Sequence, residues 1–147
     1  MKNDDEAMGA HYEIRDGYLS VRLQGVFDQT TSHGLAHEIV EQARRSERTS
    51  LLCDLTALAG LGPDSASIWD HIELSQFVTH VLPKDLRVAV LETPQQLIGG
   101  RVGEDLMVQR GAQVRVTSSF DEALTWLGVT PQSSVSDRQP ISPPAAD

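Results

Sequence analysis

Cysteine, basic residues and long apolar runs are all scarce in this chain, and each scarcity closes off a class of function. One cysteine, Cys53, stands in 147 residues, so no internal disulfide forms and a reducing compartment is expected. No apolar stretch approaches the ~20 residues that a membrane-spanning helix requires. The opening MKNDDEAMGA is charged and lacks the apolar centre of a secretory signal. Lysine and arginine together number 12 against 21 aspartates and glutamates, a formal charge of −9. Nucleic acid or an anionic lipid surface would need a clustered basic face. The one local run, Arg44, Arg45 and Arg48, is flanked by Glu41 and Glu47 and falls at an expected helix C-terminus, where the helix dipole favours cations. A cytoplasmic protein that neither binds nucleic acid nor inserts into a membrane is therefore expected.

What remains is the composition of an ordinary globular domain, 39% apolar and 22% charged, with room for one core. Residues 1–10 carry no hydrophobic periodicity and read as a flexible arm. Residues 129–147 hold Pro131, Pro140, Pro143 and Pro144 and almost no apolar bulk to offset their ordering entropy, so they read as a disordered tail. The domain is expected over residues 11–128, without internal repeats.

Asp16-Gly17 between the alternating runs YEIR and YLSVRLQG predicts a β-hairpin, with Leu19, Val21 and Leu23 on one face of its second strand. From about Thr31 to Arg45 the period becomes helical, with Leu35, Ile39 and Ala43 as the stripe, widened by Ala36 and Val40. SLLCDL, residues 50–55, is a short apolar run of the kind found in a central strand. A second helix is expected somewhere in Asp64–Val81, and LRVAVLE, residues 86–92, is a further buried strand. Thr93-Pro94 then opens a third helix with Ile98, Val102 and Leu106 as its buried stripe and Gly111 as its stop. QVRVT is the last strand, and Ser119 with Glu122 forms a capping box for FDEALTWL, which Gly128 ends. The order β-β-α-β-α-β-α-β-α implies an α/β fold: an N-terminal hairpin, then a mostly parallel central sheet covered by about four helices.

This element order resembles the STAS fold of anti-sigma-factor antagonists. The resemblance is carried by a buried strand ending in Asp54-Leu55-Thr56, the strand Arg87–Leu91 and the closing FDEALTWL. It is closer still to the STAS/SEC14-type branch of unassigned function. Chains of that branch end with a strand followed by Phe-x-x-x-x-Ala-x-x-Trp-Leu, near which Phe120, Ala123, Trp126 and Leu127 fall with a shorter Phe-to-Ala spacing. The resemblance spans roughly residues 11–128 and implies a non-enzymatic protein-interaction or regulatory module. Antagonists of the family carry a Ser or Thr after the third strand that a partner kinase phosphorylates, the added charge breaking the complex. The counterpart here is Asp64-Ser65-Ala66-Ser67, which makes Ser65 the candidate phosphoacceptor. No Gly follows and the preceding loop, Ala59 to Pro63, is longer than the pattern, so Asp64 or Ser65 is more simply a helix N-cap.

Chemical groupings each lack a member. His33 and His37 share a helix face, but zinc needs a third ligand, and no metal site is expected. Gly99-Gly100-Arg101-Val102-Gly103 lies inside the helical pattern and not at a strand-to-helix turn, which favours close helix packing over phosphate binding. Asp54 at a strand end lacks the acidic cluster and terminal Lys of a phosphoacceptor domain, and with Thr56 and Asp64 it is expected to organise a loop through an Asx-type hydrogen bond. Cys53 sits in an apolar run, where a thiol is a small hydrophobe. Hence neither catalytic residues nor a cofactor is expected.

The second helix is the unusual segment. Ile68, Trp69 and Ile72 form one apolar face, while Leu74, Phe77, Val78, Val81 and Leu82 point largely the other way. Either the helix bends or ends near Ser75 with both parts buried, or an apolar patch stays exposed for a protein partner, a homodimer or a small apolar ligand. On the second alternative Trp69, Ile72, Phe77, Val78 and Val81 form the interaction surface, with Trp69 and Phe77 as anchors. Two other functions compete with the interaction module: a small carrier holding an apolar, lipid-like ligand between the second and third helices, and an enzyme using Asp54 with a nearby histidine.

Overall fold

The computed structural model describes residues 7–129, so the expected tail beyond Val129 and most of the expected arm lie outside the described residues, while Val129 itself packs on the core. Nine elements follow in the expected order: β1 Gly9–Arg15, β2 Tyr18–Val26, α1 Gln29–Arg45, β3 Ser50–Ala59, α2 Ile68–Val81, β4 Arg87–Leu91, α3 Leu97–Gln109, β5 Gln113–Thr117 and α4 Phe120–Leu127. β1 begins two residues inside the expected arm, because Gly9 pairs with Gln24 and Ala10 packs on the core. Asp16 and Gly17 make the two-residue hairpin loop between Arg15 and Tyr18, and Gly17 takes the positive φ of 91° that such a turn requires.

The five strands lie in the order β1-β2-β3-β4-β5, antiparallel for the hairpin and parallel thereafter. Alternation along the strands splits the core in two. Leu19, Val21, Leu51, Leu55, Val88 and Val116 turn to the face covered by α1, α2 and α3, where Ile39, Ala43 and Met107 meet them. Leu52 and Ala89 turn to the opposite face, where α4 lays down Ala123, Leu124 and Leu127. Trp126 is half-buried beneath the Arg87 guanidinium, 4.5 Å from the ring centre.

Several local expectations are revised. β3 does not end at Asp54 but runs to Ala59, through a bulge: Arg22 pairs with Asp54, and Gln24 with Ala57. Asp54 still makes the Asx-type contact, accepting from the Thr56 amide at 2.9 Å and its hydroxyl at 2.6 Å, and so ties down the extra residue of the bulge. α2 is one continuous helix whose cap is Ser67, not Asp64 or Ser65. Ser67 and Asp70 form a reciprocal capping box, while the Ser65 and Ala66 amides donate to the Gly62 carbonyl in the turn before it. In α3 the buried stripe is Gly99, Gly100, Gly103 and Met107; Ile98 is 61% exposed, and Val102 and Leu106 are half-buried. The glycines take the inner face because His71 and Ser75 of α2 and Glu92, just past β4, already occupy that space.

Near the end of the described residues, Ser119 caps α4 by accepting from the Glu122 amide at 3.1 Å. The Glu122 carboxylate does not close the box. It accepts from the Thr117 hydroxyl at 2.7 Å and from Arg115, while the Ser119 amide donates to Thr117.

Candidate functional site

Between the sheet and the layer formed by α1 and α2 lies a cavity of about 160 Å³. Its walls are aliphatic: Leu23 and Leu55 from the sheet, Leu35 and Ile39 from α1, Leu74 and Val78 from α2. Where α3 crosses behind α2 the lining changes character, and His71, Ser75 and Glu92 reach the same cavity.

Backbone geometry places these three side chains. Val88, Val90 and Glu92 alternate onto the helix-covered face, so the residue just past β4 turns inward, where parallel sheets present ligand sites at the carboxyl ends of their strands. His71 and Ser75 are four apart on α2 and share its inner face. The three glycines of α3 receive them one for one. A Cβ on Gly99 would overlap the His71 ring, one on Gly100 the Glu92 carboxyl, and one on Gly103 the Ser75 hydroxyl. GGRVG is therefore a packing motif that makes room for polar side chains, not a phosphate loop.

Glu92 is the anomaly of the core. It is only 5% exposed, and its Oε1 has no hydrogen-bond partner among the described residues. Burial pushes its carboxyl up to about 8; the nearby Arg101 guanidinium opposes this shift and Glu104 adds to it. The carboxyl is thus largely neutral at pH 7. The buried Gln96 is, by contrast, satisfied: it donates to the Leu55 and Leu58 carbonyls at 2.8 and 3.0 Å, pinning the start of α3 to the end of β3. An uncompensated acid stands out against that background, because native interiors leave few polar groups unpaired.

The residues singled out from the sequence fall elsewhere or take other roles. Trp69 is 73% exposed at the start of α2, beside the partly exposed Ile68, and Ile72 is half-buried. Phe77 is not free: His33 of α1 stacks on it at 3.9 Å, and His37 meets it edge-on at 5.6 Å. Those two histidines therefore clasp α1 to α2. Val78 and Val81 line the cavity. The five residues do not form one surface, because a continuous helix sends Trp69 outward and Phe77, Val78 and Val81 to its neighbours. Ser65 and Asp64 are exposed on the loop before α2. Asp54 faces Arg22 at 3.9 Å and no histidine is its partner; Cys53 lines the cavity, and burial pushes its thiol up to about 12, far from a nucleophile's range. No group of three or more metal-ligating side chains occurs among the described residues.

Sequence reasoning passed over His71, Ser75 and Glu92. A signal existed for Glu92, since continuing the period of two from Val88 and Val90 puts it on the core face.

Among solved structures, the chain superposes on an anti-sigma factor antagonist from Mycobacterium paratuberculosis with a TM-score of 0.55, at 18% identity over 84% of this chain and 96% of that one. The fold is STAS-like. A second structure similar to this chain is an uncharacterised protein of the DUF3478 family with a SpoIIAA-like fold from Shewanella loihica, at 24% identity and a TM-score of 0.49, covering 82% and 92% of the two chains. No family profile and no curated protein matches the sequence. The STAS-like fold agrees with the resemblance drawn from the element order. Among the described residues, no helix is long and apolar enough to cross a membrane.

Proposed function

We propose that this chain is a non-catalytic protein-interaction module of STAS-like type, regulatory in role and cytoplasmic, whose partner surface is the start of α2 and the loop before it. One observation carries the reading: Trp69, the most exposed large apolar side chain described, projects beside Ile68 from the capped first turn of α2. An exposed tryptophan offers a large, rigid contact area of the kind that anchors interfaces. Because the antagonist on which the chain superposes is named for its action on an anti-sigma factor, an anti-sigma factor is the first partner class to test, and a second copy of this chain is the next. Ser65 lies on the same loop, but the capping hydroxyl is that of Ser67, so phosphate on Ser65 would act on a docked partner and not on the helix cap. Trp69→Asp tests the proposal. The variant is expected to fold normally, since the side chain is exposed, and to lose at least tenfold in partner affinity or self-association by light scattering. A folded variant with both unchanged removes this surface.

A second reading, the small carrier of an apolar ligand, is favoured by the cavity. Its aliphatic walls lie mainly under α1 and α2, and not solely between α2 and α3. An engineered apolar cavity of about 150 Å³ stays dry and accepts benzene, which sets the scale of ligand for this one. The enzyme reading built on Asp54 has nothing to support it, because that carboxylate is engaged by Thr56 and Arg22.

A further inference from the structure

We propose that the cavity takes a small, uncharged, mostly apolar compound bearing one hydroxyl group, held by its hydroxyl on Glu92 with its hydrocarbon part among the leucines and valines beneath α1 and α2. This rests on the reading of the cavity as a ligand site and adds the class of ligand.

The cavity has two unlike ends. Most of its wall is Leu, Ile and Val, which can satisfy hydrocarbon and nothing else. Three polar side chains of the lining, His71, Ser75 and Glu92, stand against α3, opposite Gly99, Gly103 and Gly100 in turn. Those glycines lie in a helix interior, where each costs about 1 kcal/mol relative to alanine. They let polar side chains approach the cavity that any larger residue would push aside.

Glu92 selects the head group. The Glu92 carboxyl lines the cavity and makes no side-chain hydrogen bond among the described residues, and a ligand hydroxyl supplies the missing partner. A carboxylate ligand would have to shed its hydration among aliphatic walls, in a field to which Glu104 already adds negative charge. An ammonium ligand would have to shed its hydration in an aliphatic cavity, with the Arg101 guanidinium already acting on the carboxyl there. A hydroxyl pairs with the carboxyl and brings no charge. The neutral carboxyl can also donate to the hydroxyl oxygen, so both partners are satisfied together. At about 160 Å³, the space fits one aromatic ring or a short branched chain, not a long acyl chain.

Four probes of one ring and one substituent separate the alternatives: toluene, phenol, benzoate and benzylamine, titrated at pH 7 into the full chain and into Glu92→Leu by calorimetry or NMR. Toluene and phenol are expected to bind the unaltered protein, and benzoate and benzylamine to bind at least tenfold more weakly than phenol. In Glu92→Leu the ratio of phenol to toluene affinity is expected to fall at least tenfold. Should that variant not fold, the Glu92 carboxyl carbon resonance of the unaltered protein is read instead, moving with phenol and not with toluene. A ratio independent of Glu92, a carboxyl resonance indifferent to phenol, or benzoate or benzylamine binding as well as phenol, overturns the inference while toluene binding leaves the cavity reading in place. Failure of all four probes to bind overturns both.

Discussion

Glu92→Gln is expected to stabilise the protein by on the order of 3 kcal/mol at pH 7, and by less than about 1 kcal/mol at pH 5. Glu92 in the folded chain is pushed up to about 8 from an ordinary value of 4.5, chiefly by burial. The folded state therefore holds its proton across a range in which the unfolded state has released it. For a group raised in this way, the stabilising linkage is fully present below the unfolded value and is lost as pH rises through the folded value. Wild-type stability should fall between about pH 4.5 and pH 8 and then level off. Arg101 and Glu104 on α3, His71 on α2 and Cys53 on β3 also lie around this carboxyl or line its cavity, but burial is the main cause of the shift. Glutamine keeps the shape and cannot ionise, so the slope due to this group disappears. Urea unfolding at pH 5, 7 and 9 reads the effect directly. A wild type and a variant with the same pH dependence would contradict it.

The second large effect concerns α3. Gly99→Ala is expected to destabilise the protein by about 2 kcal/mol or more, even though alanine favours a helix over glycine by about 1 kcal/mol. The added methyl would occupy the place of the buried His71 ring, so either α2 moves away or the ring leaves its position. Gly34→Ala is the matched control: it lies on the exposed side of α1 with nothing near its missing Cβ, and should raise stability by up to about 1 kcal/mol. Adding His71→Ala to Gly99→Ala should recover part of the loss, because the ring that the methyl meets is gone. Denaturant midpoints of the three variants decide the matter; a Gly99→Ala protein as stable as wild type would mean that α2 and α3 are not held in this contact.

Much of the fold was legible in the sequence, and the site was not. Asp16-Gly17 specifies its hairpin by local chemistry alone, and Leu19, Val21 and Leu23 repeat at the strand period. The αL stop at Gly128, with φ of 85°, is likewise a local requirement. Errors came where a residue's partner lies far along the chain. Ile98 looked like a core residue because isoleucine in a helical pattern usually is one. The inner face of α3 belongs to glycines instead, for a reason that lies in His71, Ser75 and Glu92. Phe77 looked like an exposed anchor because the pattern of α2 cannot show that His33 stacks on it from α1. Asp64 or Ser65 resembles the cap because the pair falls at the family's phosphoacceptor position, although Ser67 with Asp70 three residues on is the better capping box. Glu92 falls within the expected buried strand LRVAVLE, and its period places it on the core face. That its carboxyl meets Gly100 of α3 depends on packing between distant segments, which strand periodicity does not specify.

The most direct test of the site is xenon, a probe with no polar group that fills apolar cavities. Methyl NMR spectra of the full chain under xenon should show shifts concentrated on Leu23, Leu35, Leu55, Leu74 and Val78, which wall the cavity. The exposed methyls of Ile14 and Val108 should stay in place. Spectra that do not change, or that change as much at Ile14 and Val108 as at the cavity wall, would contradict the account.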